Sequence, residues 1–150
     1  MAINSGKRRP SVQDKRNASK TCEVPESSVF FNFQYITSDK RFNYEYIKKG
    51  KQSIYKDIVK ALQKFSQNSW DELRRMGKDN GGFETMEYGR MVPSIADKIK
   101  DKPITKDTKL YIFRVGGNKY RMIGYKSNSC RAAMHILGFD FDFSLYDHGG

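Results

Sequence analysis

The chain has 150 residues, a formal net charge of +11 and a pI near 9.6. That length suits one domain that can bury a core without staples. The charge points to a polyanionic partner: a nucleic acid, a nucleoprotein complex or an acidic protein. No apolar run approaches the roughly 20 residues of a spanning helix, so no membrane partner is expected, and the opening MAINSGKRRPSVQDK has no apolar secretory core. Cys22 and Cys130 have no CxxC spacing, so zinc and a disulfide framework are not expected, and a reducing cytoplasm is the compartment that fits.

Residues 1–20 carry Lys7, Arg8, Arg9, Lys15, Arg16 and Lys20 against Asp14, with no aromatic residue. Such a segment cannot bury enough apolar area to offset its ordering entropy, so residues 1–25 read as a disordered basic arm. Arms of this kind gain affinity through phosphate contacts, or serve only as solvated tails. Residues 26–150 read as a single α+β domain.

Val29–Ile36 (VFFNFQYI) and Arg41–Ile47 (RFNYEYI) alternate aromatic residues on one face, with Thr37-Ser38-Asp39 between them. They predict an antiparallel hairpin. From Gln52 to Gln67 the period lengthens: Ile54, Ile58, Leu62 and Phe65 mark one face of an amphipathic helix. Lys56, Lys60 and Lys64 lie along another face, which reads as solvated. Ser69-Trp70-Asp71-Glu72 is a capping box that starts a short helix through Met76, ended by Gly77. Phe83–Met86 reads as a brief strand, and Ser94 as the cap of a short helix reaching Lys100.

The C-terminal third returns to strands. Leu110–Val115 and Lys119–Tyr125 flank Gly116-Gly117-Asn118, Ala132–Phe139 is nearly all apolar, and Phe141–Tyr146 reads as an edge strand. The expected fold is an antiparallel sheet, built from the N-terminal hairpin and a C-terminal meander, with helices on one face. Alternation puts Lys119, Arg121, Ile123 and Tyr125 on one face of the second strand. Arg114 joins them if the register allows. Guanidinium and ammonium groups beside a phenol suit a phosphate. With Lys109 and Lys126 at the hairpin's ends and the arm cations Lys7, Arg8, Arg9, Lys15 and Arg16, these residues are the expected nucleic-acid contacts. The glycine turn matches no phosphate loop and serves the hairpin.

The chain has two histidines. His135, within AAMHILGF, is either a sheet residue or a catalyst, since imidazole titrates near neutrality. His148, in LYDHGG, is a further acid–base candidate. Asp140 and Asp142 of FDFDF could share a magnesium ion, but without a third ligand they read as solvent-facing charges at a strand end. No metal site or cofactor is expected.

The segments YIFRVGGNKYRMIGYK, AAMHILGFD and SLYDHG resemble the C-terminal half of RelE/HigB-like toxin ribonucleases, and the similarity extends over about residues 52–148. The resemblance implies RNA cleavage without metal, the ribose 2′-OH attacking the adjacent phosphate. It makes Arg121 the strand arginine, Arg114 and Lys119 phosphate clamps, and Tyr146 or His148 the proton-transfer group. The basic arm, the first aromatic segment and the acidic FDFD depart from the pattern. The alternative is a phage or mobile-element protein that binds nucleic acid or a nucleoprotein complex without cutting, such as an inhibitor of host defence (an anti-CRISPR). A protein–protein module facing an acidic partner is a third reading.

Overall fold

The computed structural model describes residues 24, 25, 27–100 and 104–148. The arm cations Lys7, Arg8, Arg9, Lys15 and Arg16 lie outside the described residues, as does Cys22. Two helices and a five-stranded mixed sheet form an α+β fold. The strands are β1 (Phe30–Asn32), β2 (Phe83–Glu87), β3 (Lys109–Val115), β4 (Tyr120–Lys126) and β5 (Ala133–Asp140), in the order β1-β5-β4-β3-β2. All pairings are antiparallel except β1 with β5.

The helices are α1 (Ser53–Ser66) and α2 (Trp70–Met76). Both halves of the predicted capping box form: Ser69 accepts from the Glu72 amide, and the Glu72 carboxylate reaches back to the Ser69 amide. Ile54, Ile58 and Phe65 of α1 and Trp70 and Leu73 of α2 pack on Phe113, Val115, Met122, Met134, Ile136 and Phe139 of the sheet. The Trp70 indole donates to the Ala132 carbonyl at 3.1 Å, fixing α2 against the entry to β5.

The opposite sheet face is buried too, by loops. Leu110, Ile112, Ile123, Tyr125 and Leu137 meet Phe42, Met91, Ile95, Ala96, Leu145 and Tyr146. Burial on both sides explains why β5 reads as a nearly continuous apolar run. The β4–β5 register shifts by one residue beside Ile123/Gly124, so Leu137 is the extra residue of a bulge. Gly138 follows, and a Cβ there would stand 2.5 Å from the Phe42 carbonyl oxygen. Glycine therefore lets the 37–42 loop lie on the sheet, where Thr37 N donates to Leu137 O and Phe139 N to Phe42 O.

Several expectations fail for the same physical reason, a distant partner that local alternation does not reveal. The 29–47 hairpin does not form. Only Phe30–Asn32 is a strand, parallel to β5, and Tyr44–Tyr46 is a 3₁₀ turn. Asp39 is bound by Ser94 and Arg41, and Ser38 by Asp97, so this turn is tied to the Pro93–Ala96 segment, itself a 3₁₀ turn shorter than the predicted helix. Phe141–Tyr146 is not an edge strand: it folds over the sheet and makes one antiparallel bridge, Met91 to Tyr146. Cys130 is disulfide-bonded, against the expectation of free thiols. Among the described residues no helix is long and apolar enough to cross a membrane.

Candidate functional site

The β3–β4 register answers the question left open at Arg114. Arg114 stands directly opposite Arg121, and Arg121 stands opposite Asp140 on β5. The three charges form one row across three strands, on the loop-covered face and at the end nearest the glycine turn. Like charges directly opposite each other destabilise a sheet. Here local acceptors offset the cost. Arg121 Nη1 donates to the carbonyls of Asn118 and Tyr120, both at 3.1 Å, and Arg114 Nη1 pairs with Asp79 at 2.8 Å. Arg121 is 7% exposed, a side chain fixed in place.

The C-terminal segment closes over this row. Phe143 adopts a left-handed backbone, φ 61°, rare for a bulky residue. That turn brings its ring under the Arg121 guanidinium, 5.2 Å from carbon to ring centre, and edge-on to His148. The His148 imidazole stacks on Tyr146 with centroids 4.0 Å apart, and its Nε2 lies 3.2 Å from Asp140 Oδ2. Asp140 has no exposed surface and also accepts from the Ser144 amide. It is therefore not the solvent-facing charge that FDFDF suggested; the solvent-facing description fits Asp142, which binds Ser144.

Arg114, Arg121, Tyr146 and His148 all line one cavity of about 580 Å³, together with Lys78, Arg90 and Glu84. Three of the four proposed catalytic side chains thus converge. Burial pushes the Tyr146 phenol above its ordinary range; the Arg121 charge and hydrogen bond oppose this, while Glu84 and Asp140 reinforce it. The phenol stays protonated at neutral pH and is a hydrogen-bond donor.

The remaining candidates lie elsewhere. His135, buried on β5, stacks on Tyr125 and meets Tyr35 edge-on, and it does not line the cavity with Arg121. Tyr125 accepts from Asn128 Nδ2 at 3.1 Å. Lys119 is in the turn and not on β4, and it lines a neighbouring cavity that Arg114 also borders. Lys109 faces Glu87 at 3.5 Å. Lys126 lies over the Trp70 ring, in a larger cleft of about 890 Å³ that holds Arg74, Arg75 and Arg131 but no histidine. Sequence reasoning missed Phe143, Arg90 and the role of Asp140. Only the positions of the rings and acids around His148 reveal them, and those depend on how residues 141–148 fold back. Among the described residues no cluster of three or more histidine, cysteine, aspartate or glutamate side chains is placed to hold a metal.

The class defined so far is an α+β protein with a cationic cavity built around an Asp–His pair. The chain matches no protein-family model, no curated protein and no solved structure.

Proposed function

We propose that the protein is a metal-independent endoribonuclease of the RelE-like type. The observation that carries this reading is the convergence of two arginines, a tyrosine and an aspartate-held histidine in one cavity. Transphosphorylation of RNA needs a base for the 2′-OH, positive charge for the pentavalent phosphorane and a proton for the leaving oxygen.

With Nε2 turned to Asp140, the His148 Nδ1 is left to accept a proton, and the carboxylate holds that tautomer. His148 takes the 2′-OH proton, O2′ attacks phosphorus, and Arg114 and Arg121 hold the non-bridging oxygens. The P–O5′ bond breaks to give a 2′,3′-cyclic phosphate and a 5′-hydroxyl, whose proton comes from Tyr146. The imidazolium then returns its proton to the phenolate, so the net transfer runs from O2′ to O5′. The expected products are 2′,3′-cyclic phosphate and 5′-hydroxyl ends, and a 2′-deoxy residue at the cut blocks the reaction. Ends bearing 3′-hydroxyl and 5′-phosphate would refute this chemistry.

A second reading, nucleic-acid binding without cleavage, is favoured by the ion pairs Arg114–Asp79 and Lys78–Glu84, which show cations at the cavity rim already engaged. The cytoplasm is the proposed compartment, where RNA and nucleoprotein targets lie. The disulfide at Cys130 argues the other way, and isolation under thiol-blocking conditions decides it: a free Cys130 thiol supports the cytoplasm, and an oxidised one overturns it.

A further inference from the structure

A second cavity, of about 690 Å³, adjoins the His148 cavity, and Arg114 and Lys78 line both. The second is walled by Lys60 and Lys64 of α1 and by Lys119 of the glycine turn, against Asp57 and Asp79. Asp79 is paired with Arg114, so the local balance is positive.

The lysines sit there at some cost. Like charges at i, i+4 weaken a helix by about 0.2–0.5 kcal/mol a pair, and Lys60 and Lys64 have that spacing. Lys64 Nζ reaches the backbone of the opposite wall at Gly81, whose φ of 88° favours glycine. Two more positive-φ glycines, Gly116 and Gly117, carry the chain past the cavity, and a Cβ at Gly117 would meet nothing within 4 Å. Among the described residues Phe65 is the only ring lining this part, and at 2% exposed it cannot stack on a base. The rings of Phe143, Tyr146 and His148 are all in the first cavity.

We infer that the two adjoining cavities together form a cleft that binds single-stranded RNA along its length. This deepens the nuclease reading and rests on it for the position of the cut. One base meets the rings beside His148. The sugar-phosphate backbone of the adjoining nucleotides crosses Arg114 and runs along Lys64 and Lys60. Contact there is with phosphates, so this arm of the cleft adds affinity without sequence preference. A duplex would keep its bases stacked away from Phe143.

The test is fluorescence anisotropy with a 2′-O-methyl RNA, which the proposed reaction cannot cut, as a dinucleotide and as an oligonucleotide of roughly 12 nucleotides. Wild type is compared with Lys60→Gln/Lys64→Gln; both lysines are exposed, and a thermal melt checks the fold. Two lost phosphate contacts should flatten the log K against log salt slope for the longer RNA by about 1.4. They should weaken its binding roughly tenfold or more at about 50 mM salt, and hardly affect the dinucleotide. An unchanged slope and affinity would overturn the cleft. Equal binding of DNA or of duplex RNA, with the same loss in the variant, would overturn single-stranded RNA as its ligand. Variant-sensitive binding with no cleavage of ordinary RNA keeps the cleft and removes the nuclease. Cleavage with unaltered binding in the variant does the reverse.

Discussion

Asp140→Asn tests the Asp–His pair at the centre of the mechanism. Asp140 is fully buried; one oxygen accepts from the Ser144 amide at 3.0 Å and the other faces His148 Nε2 at 3.2 Å. Asparagine has the same shape and one carbonyl oxygen. If that oxygen keeps the Ser144 contact, its NH₂ faces Nε2, which must then accept. The proton moves to Nδ1, and the base is lost. General-base catalysis contributes about 10²–10⁴-fold, so the cleavage rate should fall by a factor in that range. Stability should fall by only about 1–3 kcal/mol, the usual consequence of losing charge-assisted hydrogen bonds. The assay pairs single-turnover cleavage across pH with a denaturant melt. The variant should remain folded, bind RNA like wild type, and have an altered pH–rate profile. A folded variant with wild-type rate and profile would show that Asp140 does not orient His148.

Other residues give further outcomes. Asp39 is held well below the usual carboxylate range, first by the Arg41 side-chain hydrogen bonds and also by Ser94, with burial opposing. Its folded pKa is depressed, so its contribution is present above the unfolded value of about 4 and is lost as pH falls towards the folded one. Asp39→Asn should therefore be less stable than wild type at pH 7, with the gap closing below about pH 4 in acid melts. Phe143→Ala and Phe143→Gly both remove the ring under Arg121, but only glycine relieves the positive φ. Glycine should be the more stable of the two by about 1 kcal/mol in urea melts, with equal loss of RNA affinity.

The parts of the fold that were legible in the sequence are those with local causes. The Ser69–Glu72 box and the Ile54–Phe65 stripe each specify a helix from neighbouring residues alone. The β3–β4 hairpin follows from its glycine turn, and that turn also sets the register that places Arg114 against Arg121. Lys119 had the right phase but falls within the turn, so it faces a different cavity. VFFNFQYI and RFNYEYI misled because aromatic alternation does not name a partner. Phe42 is buried among the loops over the second sheet face, and Tyr46 stacks on Phe141. Asp140 was misread because its burial depends on residues 143–148 folding back, through a left-handed Phe143 that no sequence rule favours.

The most direct measurement of the central claim is RNA cleavage in EDTA by wild type, Arg121→Ala and His148→Ala, each checked for folding and RNA binding. Wild type should cut, and each folded variant should lose about 10²-fold or more of the rate. Wild type that binds RNA without cutting it, or folded variants that cut as fast as wild type, would contradict the account.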